Sequence, residues 1–139
     1  MKSIPLFLLA VLFSVSPVFA ENSDHPIDIK LDKSMQADES THGMVQALTT
    51  AMKEWDAELN KYYKELQDVL DKKGKESLKK VQLEWIAFRD AEFELLDAMM
   101  LQAEGTMYQV FNANYQMNIV KDRALELKDY YDAFFGAGK

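Results

Sequence analysis

Five carboxylates crowd into the fifteen residues from 90 to 104, Asp90, Glu92, Glu94, Asp97 and Glu104, with no base among them. Carboxylates do general acid–base work when they converge in a pocket that drives their pKa values apart. Asp90, Glu92 and Glu94 instead point to different faces of a helix, and nothing marks one as acid and another as base. A di-metal bundle needs Glu-x-x-His pairs on facing helices, yet the histidines are His25 and His42, both near the N-terminus. Met52, Met99, Met100, Met107 and Met117 carry the thioether that captures soft metals, but they recur at the spacing of helix-core residues. There is no cysteine nucleophile, and no Ser or Thr has a His partner within the helical segments. The residues point to a non-enzyme with no catalytic residue, no metal and no cofactor.

The elements that must position these charges are helices. Residues 1–20 read as a secretory signal, with Lys2 ahead of an apolar run and Val18-Phe19-Ala20 as the cleavage signature. The run is too short for a stable membrane anchor, and residue 21 is Glu, so a lipid anchor has no cysteine acceptor. The mature chain is therefore expected to be soluble and periplasmic or secreted after cleavage at Ala20. Residues 21–40 form a polar, acidic segment in which Pro26 to Ala37 suits a short helix, with Asp24 as its cap. Gly43 is expected to interrupt the approach to the first long helix, whose stripe is Leu48, Met52, Trp55, Leu59, Tyr62, Leu66 and Val69. Gly74 is read as its stop, with Lys72 and Lys73 at the carbonyl end. A second helix runs from about Ser77 to Ala103 on Leu78, Val81, Trp85, Phe88, Leu95 and Met99. Gly105 ends it, and Thr106 with Gln109 forms a capping box for a third, carried by Met107, Val110, Asn114, Met117, Ala124, Leu127, Tyr131 and Phe134 and closed by Gly136. The expected fold is all-α: three long antiparallel helices joined by short turns, preceded by a short N-terminal helix, with 41–136 as the helical domain.

Charge is distributed unevenly. The mature chain carries 15 basic and 23 acidic residues, a balance of −8. Such a chain is a poor ligand for nucleic acid and is repelled by anionic lipid. Residues 21–58 hold nine acids and three bases, whereas 61–89 hold five acids and eight bases. An antiparallel hairpin brings 21–58 and 90–104 together as an acidic pole. The second helix is charged against its own dipole, with lysines at its start and Asp97 and Glu104 near its end. Beside that pole, residues 105–120 carry no formal charge and contain Tyr108, Phe111 and Tyr115, a composition suited to protein binding or to packing on two sides.

Two blocks narrow the reading: Trp55-Asp56-x-x-Leu59-Asn60-x-x-Tyr63 and Gln82-x-x-Trp85-x-x-Phe88-Arg89-Asp90, followed by Gly105-Thr106-Met107 and Arg123-x-x-x-Leu127. In this order they resemble the LprI-like lysozyme-inhibitor family of exported bacterial helical proteins, over about Thr41 to Tyr131. The resemblance implies extended antiparallel helices and binding of lysozyme. Where many members carry cysteine, this chain has Ser34, Ala47 and Phe93. From residue chemistry, Trp55 and Trp85 are core anchors, Asp56 and Arg89 pair across the hairpin with Arg123 as a competitor, and Asn60 and Gln82 satisfy each other or the indole N–H groups.

The resulting expectation is a protein that binds and inhibits a basic, lysozyme-type peptidoglycan hydrolase through Glu92, Glu94, Asp97, Glu104, Tyr108 and Tyr115. The alternative is a non-catalytic periplasmic structural or envelope-stress module that binds another bacterial protein. The sequence assigns no oligomeric state.

Overall fold

The computed structural model describes residues 25–136. Helix α1 spans Pro26–Ala37, α2 Thr41–Val69, α3 Lys72–Gln102 and α4 Met107–Phe135, and no strand occurs among the described residues. The expected signal segment, 1–20, lies outside them, as does Asp24.

In α1, Pro26 occupies the first turn, where its missing N–H costs nothing. The cap is His25, whose Nδ1 accepts from the Ile27 N–H at 3.3 Å. Ile27 and Leu31 are buried and hold α1 against α2. Asp28 adds an ion pair with Lys121 of α4 at 2.8 Å, and Lys30 pairs with Glu54 of α2.

The two glycines expected to break helices sit inside them. Ser40 caps α2, its hydroxyl accepting from the Gly43 N–H at 3.0 Å, and Asp71 caps α3 by accepting from the Gly74 N–H at 2.7 Å. Each glycine is therefore the third residue of its helix, the position whose N–H an N-cap side chain satisfies. A Cβ on Gly43 would collide with the Asp38 carboxyl group. Asp38 itself accepts from the Ser40 N–H at 3.0 Å, and hydrogen bonding from Ser40 holds its carboxyl below the usual range. Lys72 and Lys73 consequently lie in the first turn of α3, against its dipole, rather than at the end of α2. Gly105 takes the left-handed conformation, φ 111°, that lets the chain turn from α3 into α4. The capping box at Thr106 does not form. Thr106 has helical backbone angles and no capping bond, and its hydroxyl lies 3.4 Å from that of Thr41.

The core lies between α2 and α4, with α1 covering α2. From α2 come Leu48, Trp55, Leu59, Tyr62 and Leu66, as the stripe predicts, with Ala47 and Ala51 beside them. From α4 come Val110, Met117, Val120, Ala124 and Leu127. The small residues Ala47, Ala51 and Ala124 let side chains from the opposite helix reach the helix surface closely. Three expected core positions of α2 and α4 are exposed instead: Val69, Met107 and Phe134.

Helix α3 departs most from expectation. It lies along α4 and touches α2 little beyond their shared turn, and none of its 31 residues is buried. Leu78 and Trp85 are half-buried against the core, while Val81, Phe88, Leu95 and Met99 face solvent. A single neighbouring helix covers one side of α3 and leaves the rest of its apolar stripe open.

Candidate protein-docking surface

Most of the residues in the two sequence blocks have structural roles. Trp55 is fully buried, with the His25 ring at 4.3 Å and the Lys121 ammonium 5.4 Å from its ring centre. Its indole N–H has no acceptor among the described residues, so neither Asn60 nor Gln82 serves it. Leu59 and Leu127 fill the core, and the hydroxyl of half-buried Tyr63 accepts from Gln67 at 3.3 Å. Asn60 folds back on its own helix, donating to the Asp56 carbonyl at 2.8 Å and to its carboxylate at 3.2 Å.

The expected Asp56–Arg89 pair is absent, because α2 and α3 scarcely abut at mid-length. Arg89 binds its neighbour Asp90 through Nε and Nη2 at 2.9 and 2.6 Å and lies over the Trp85 ring at 5.4 Å. The buried cation is Arg123, only 5% exposed. It donates from Nε to Gln82 at 3.1 Å and from Nη1 to Glu126 at 2.5 Å, while Nη2 has no acceptor among the described residues. Tyr130 donates to the other Glu126 oxygen at 2.7 Å. Partial burial pushes the Glu126 carboxyl upward, but the bonds from Tyr130 and Arg123 outweigh it and leave the pKa lowered. Arg89→Ala is therefore expected to cost less than about 1 kcal/mol, the range of exposed pairs. A thermal melt settles this, and a loss of several kcal/mol would contradict the surface assignment.

The surface expected to bind a partner gathers on α3 and α4. Tyr108, Phe111 and Tyr115 are exposed, although Val110, Met117 and Val120 of the same uncharged stretch are buried against α2. That stretch is thus packed on one side and open on the other. The three aromatics, with Leu96, Met99, Met100, Ala103 and Asn112, line a hollow of about 310 Å³. Tyr108 and Phe111 meet edge to face, with ring centres 5.8 Å apart, which fixes the hollow's aromatic wall.

Of the expected acids, Asp97 is the one bonded to a residue that lines this hollow. Asp97 accepts from Asn112 at 2.8 Å and from Gln116 at 3.0 Å, which ties it to α4 at the rim. Glu94 and Glu104 are exposed, and Glu92 is half-buried. Leu96 was not singled out in the sequence, and Met100 was read there only as a helix-core methionine. Their signal was present, since both lie within one turn of Met99 and face α4.

Among the described residues, no three His, Cys, Asp or Glu side chains are grouped to hold a metal ion. None of the described helices is long and apolar enough to cross a membrane.

A crystal structure of an uncharacterised protein from Burkholderia thailandensis has a similar fold, with a TM-score of 0.74 and 26% sequence identity. The similarity covers 81% of this chain and 56% of that one, so this chain spans little more than half of the other's length. No curated protein matches the sequence. The family model described as lysozyme inhibitor LprI matches residues 32–127, more than half of the chain and a span that includes every helix-packing residue of the two sequence blocks. The chain belongs to the LprI lysozyme-inhibitor family.

Proposed function

We propose that the mature chain, exported and freed of residues 1–20, inhibits a basic lysozyme-type hydrolase by docking through the α3–α4 surface. The observation that carries this reading is the exposed aromatic hollow. Tyr108, Phe111 and Tyr115 stand open to solvent on a rigid helix, a cost that a partner offsets by covering them. Glu92, Glu94, Asp97 and Glu104 supply negative potential around it, which speeds encounter with a basic enzyme more than it adds affinity. Family membership supports lysozyme as the target class. No reaction is implied for the inhibitor; its contribution is charge and shape.

The reading takes the three long helices as alternating in direction, so that the acidic segments share one end. Two sets of neighbours support this. Thr41 lies against Thr106, and Val45, Met100 and Asn112 line one hollow. Leu66, Leu78 and Leu127 line another.

The test is lysis of peptidoglycan by a c-type lysozyme with purified 21–139 added, at low and at physiological salt. Saturable inhibition that weakens with salt is expected. Tyr108→Ala with Tyr115→Ala should weaken it at least about tenfold, or about 1.4 kcal/mol. Glu94→Lys, Asp97→Lys and Glu104→Lys together should slow association and flatten the salt dependence, with the helical circular dichroism unchanged. No inhibition by the wild type at high excess, or equal inhibition by both sets of variants, would remove the proposal.

A further inference from the structure

Along α3 the apolar residues Leu78, Val81, Trp85, Phe88, Leu95 and Met99 fall at steps of three and four, interrupted only at Glu92. Leu78 and Trp85 turn toward the core, whereas Val81, Phe88 and Leu95, spaced seven apart, are each more than half exposed. A seven-residue repeat keeps side chains on one line only when the helix winds about another helix. Within this chain α4 borders the line on one side, where Val81 shares a groove with Leu127 and Tyr130 and Phe88 one with Ile119 and Glu126, and about half of each of the three side chains stays open. Glu84, Ala91 and Ala98 alternate with Val81, Phe88 and Leu95 along it, and the two alanines are small enough to let a second helix approach closely.

Charge identifies the occupant. Lys73, Lys80, Ala87 and Glu94 flank the exposed line, again seven apart. We propose that α3 pairs antiparallel with α3 of a second copy of this chain, about a two-fold axis at Phe88. Val81 of each copy then packs against Leu95 of the other, because both lie seven residues from Phe88. Lys80 lies beside Glu94 of the other copy, twice per dimer. A parallel pair would instead set Lys80 beside Lys80 and Glu94 beside Glu94, so the flanking charges select the antiparallel register. The arrangement also accounts for lysines at the start of α3 and acids at its end. That order opposes the dipole of its own helix but suits a neighbour running the other way. Both copies are acidic, yet net repulsion is screened over about 8 Å at physiological ionic strength, whereas the flanking pairs sit closer than that.

The test reads mass and cross-links, so its outcome does not depend on whether lysozyme is the target. Light scattering of 21–139 at about 100 µM, roughly a hundred times a micromolar dissociation constant, should give the dimer mass. Phe88→Glu, which places two carboxylates on the axis, should weaken pairing at least a hundredfold without loss of helical signal. Lys80→Glu should weaken it, and adding Glu94→Lys in the same chain should restore it. The absence of cysteine makes single-cysteine cross-linking clean. Phe88→Cys should cross-link to itself with a short bis-maleimide, and Val81→Cys should cross-link to Leu95→Cys in preference to itself. A monomer mass at that concentration, or Val81→Cys joining itself as readily as Leu95→Cys, would overturn the proposal.

Discussion

Replacing Trp55 with alanine is expected to destabilise the fold by about 3–5 kcal/mol, the range for removing a fully buried aromatic side chain. The site has little capacity to collapse, because three helices meet there: His25 precedes α1, Trp55 is in α2, and Lys121 reaches over the ring from α4. One effect opposes the loss. The indole N–H is buried without an acceptor among the described residues, a defect worth about 1–3 kcal/mol that alanine also removes. Packing should still win, since a cavity the size of an indole forfeits both transfer free energy and dispersion contacts. Trp55→Phe separates the two terms, because it keeps most of the ring and deletes the unpaired N–H. It should cost clearly less than Trp55→Ala. Urea unfolding followed by circular dichroism gives both values. A Phe variant as unstable as the Ala variant would mean that the N–H has a partner after all.

Arg123→Ala is the second large effect expected, about 2–4 kcal/mol, toward the lower end of the range for breaking a buried ion pair. The cost stays below the upper limit because Glu126 remains 46% exposed and can be rehydrated once its partner is gone. Arg123→Met should recover much of the loss. It keeps an apolar side-chain stem in the hollow lined by Leu66, Leu78 and Leu127 while deleting Nη2, which has no acceptor among the described residues. The sign of the pH effect follows from Glu126. Its carboxyl is held below its ordinary value of 4.5, so the bonds from Tyr130 and Arg123 contribute fully above that pH and are lost as pH falls through the lowered value. The Met variant should lack the part of this acid-dependent loss that arises from Arg123. Melting temperature against pH for the wild type and Arg123→Met tests this, and parallel curves would remove Glu126 as the partner that matters.

The contrast between Arg123 and Arg89 shows how far sequence reasoning reaches into such a fold. Both arginines lie in helices among apolar residues, and both have acids within one turn. Their spacing does not distinguish the one that is buried with Gln82 and Glu126 from the one that lies over Trp85 at the surface. Gly43 and Gly74 teach a similar lesson at shorter range. Each reads as a break by composition, but a Ser or Asp three residues earlier makes it the third residue of a capped helix.

The sequence by itself determined the class of structure, all helical, and most of the faces that α2 and α4 bury. Those properties follow from periodicity within each helix, so Leu48, Trp55, Leu59, Leu66, Met117 and Leu127 are found without knowing their partners. It also determined the family, through blocks of which Trp55 and Leu59 enter the α2–α4 core, together with the later Arg123 and Leu127. Only the tertiary structure decided which helices abut. Because α3 packs on α4 and barely on α2, the same apolar periodicity that is buried elsewhere is left open on α3, and Asp56 never meets Arg89. Periodicity shows that a helix has an apolar face; how much of that face is covered depends on the crossing of elements far apart in the chain, which no local spacing encodes.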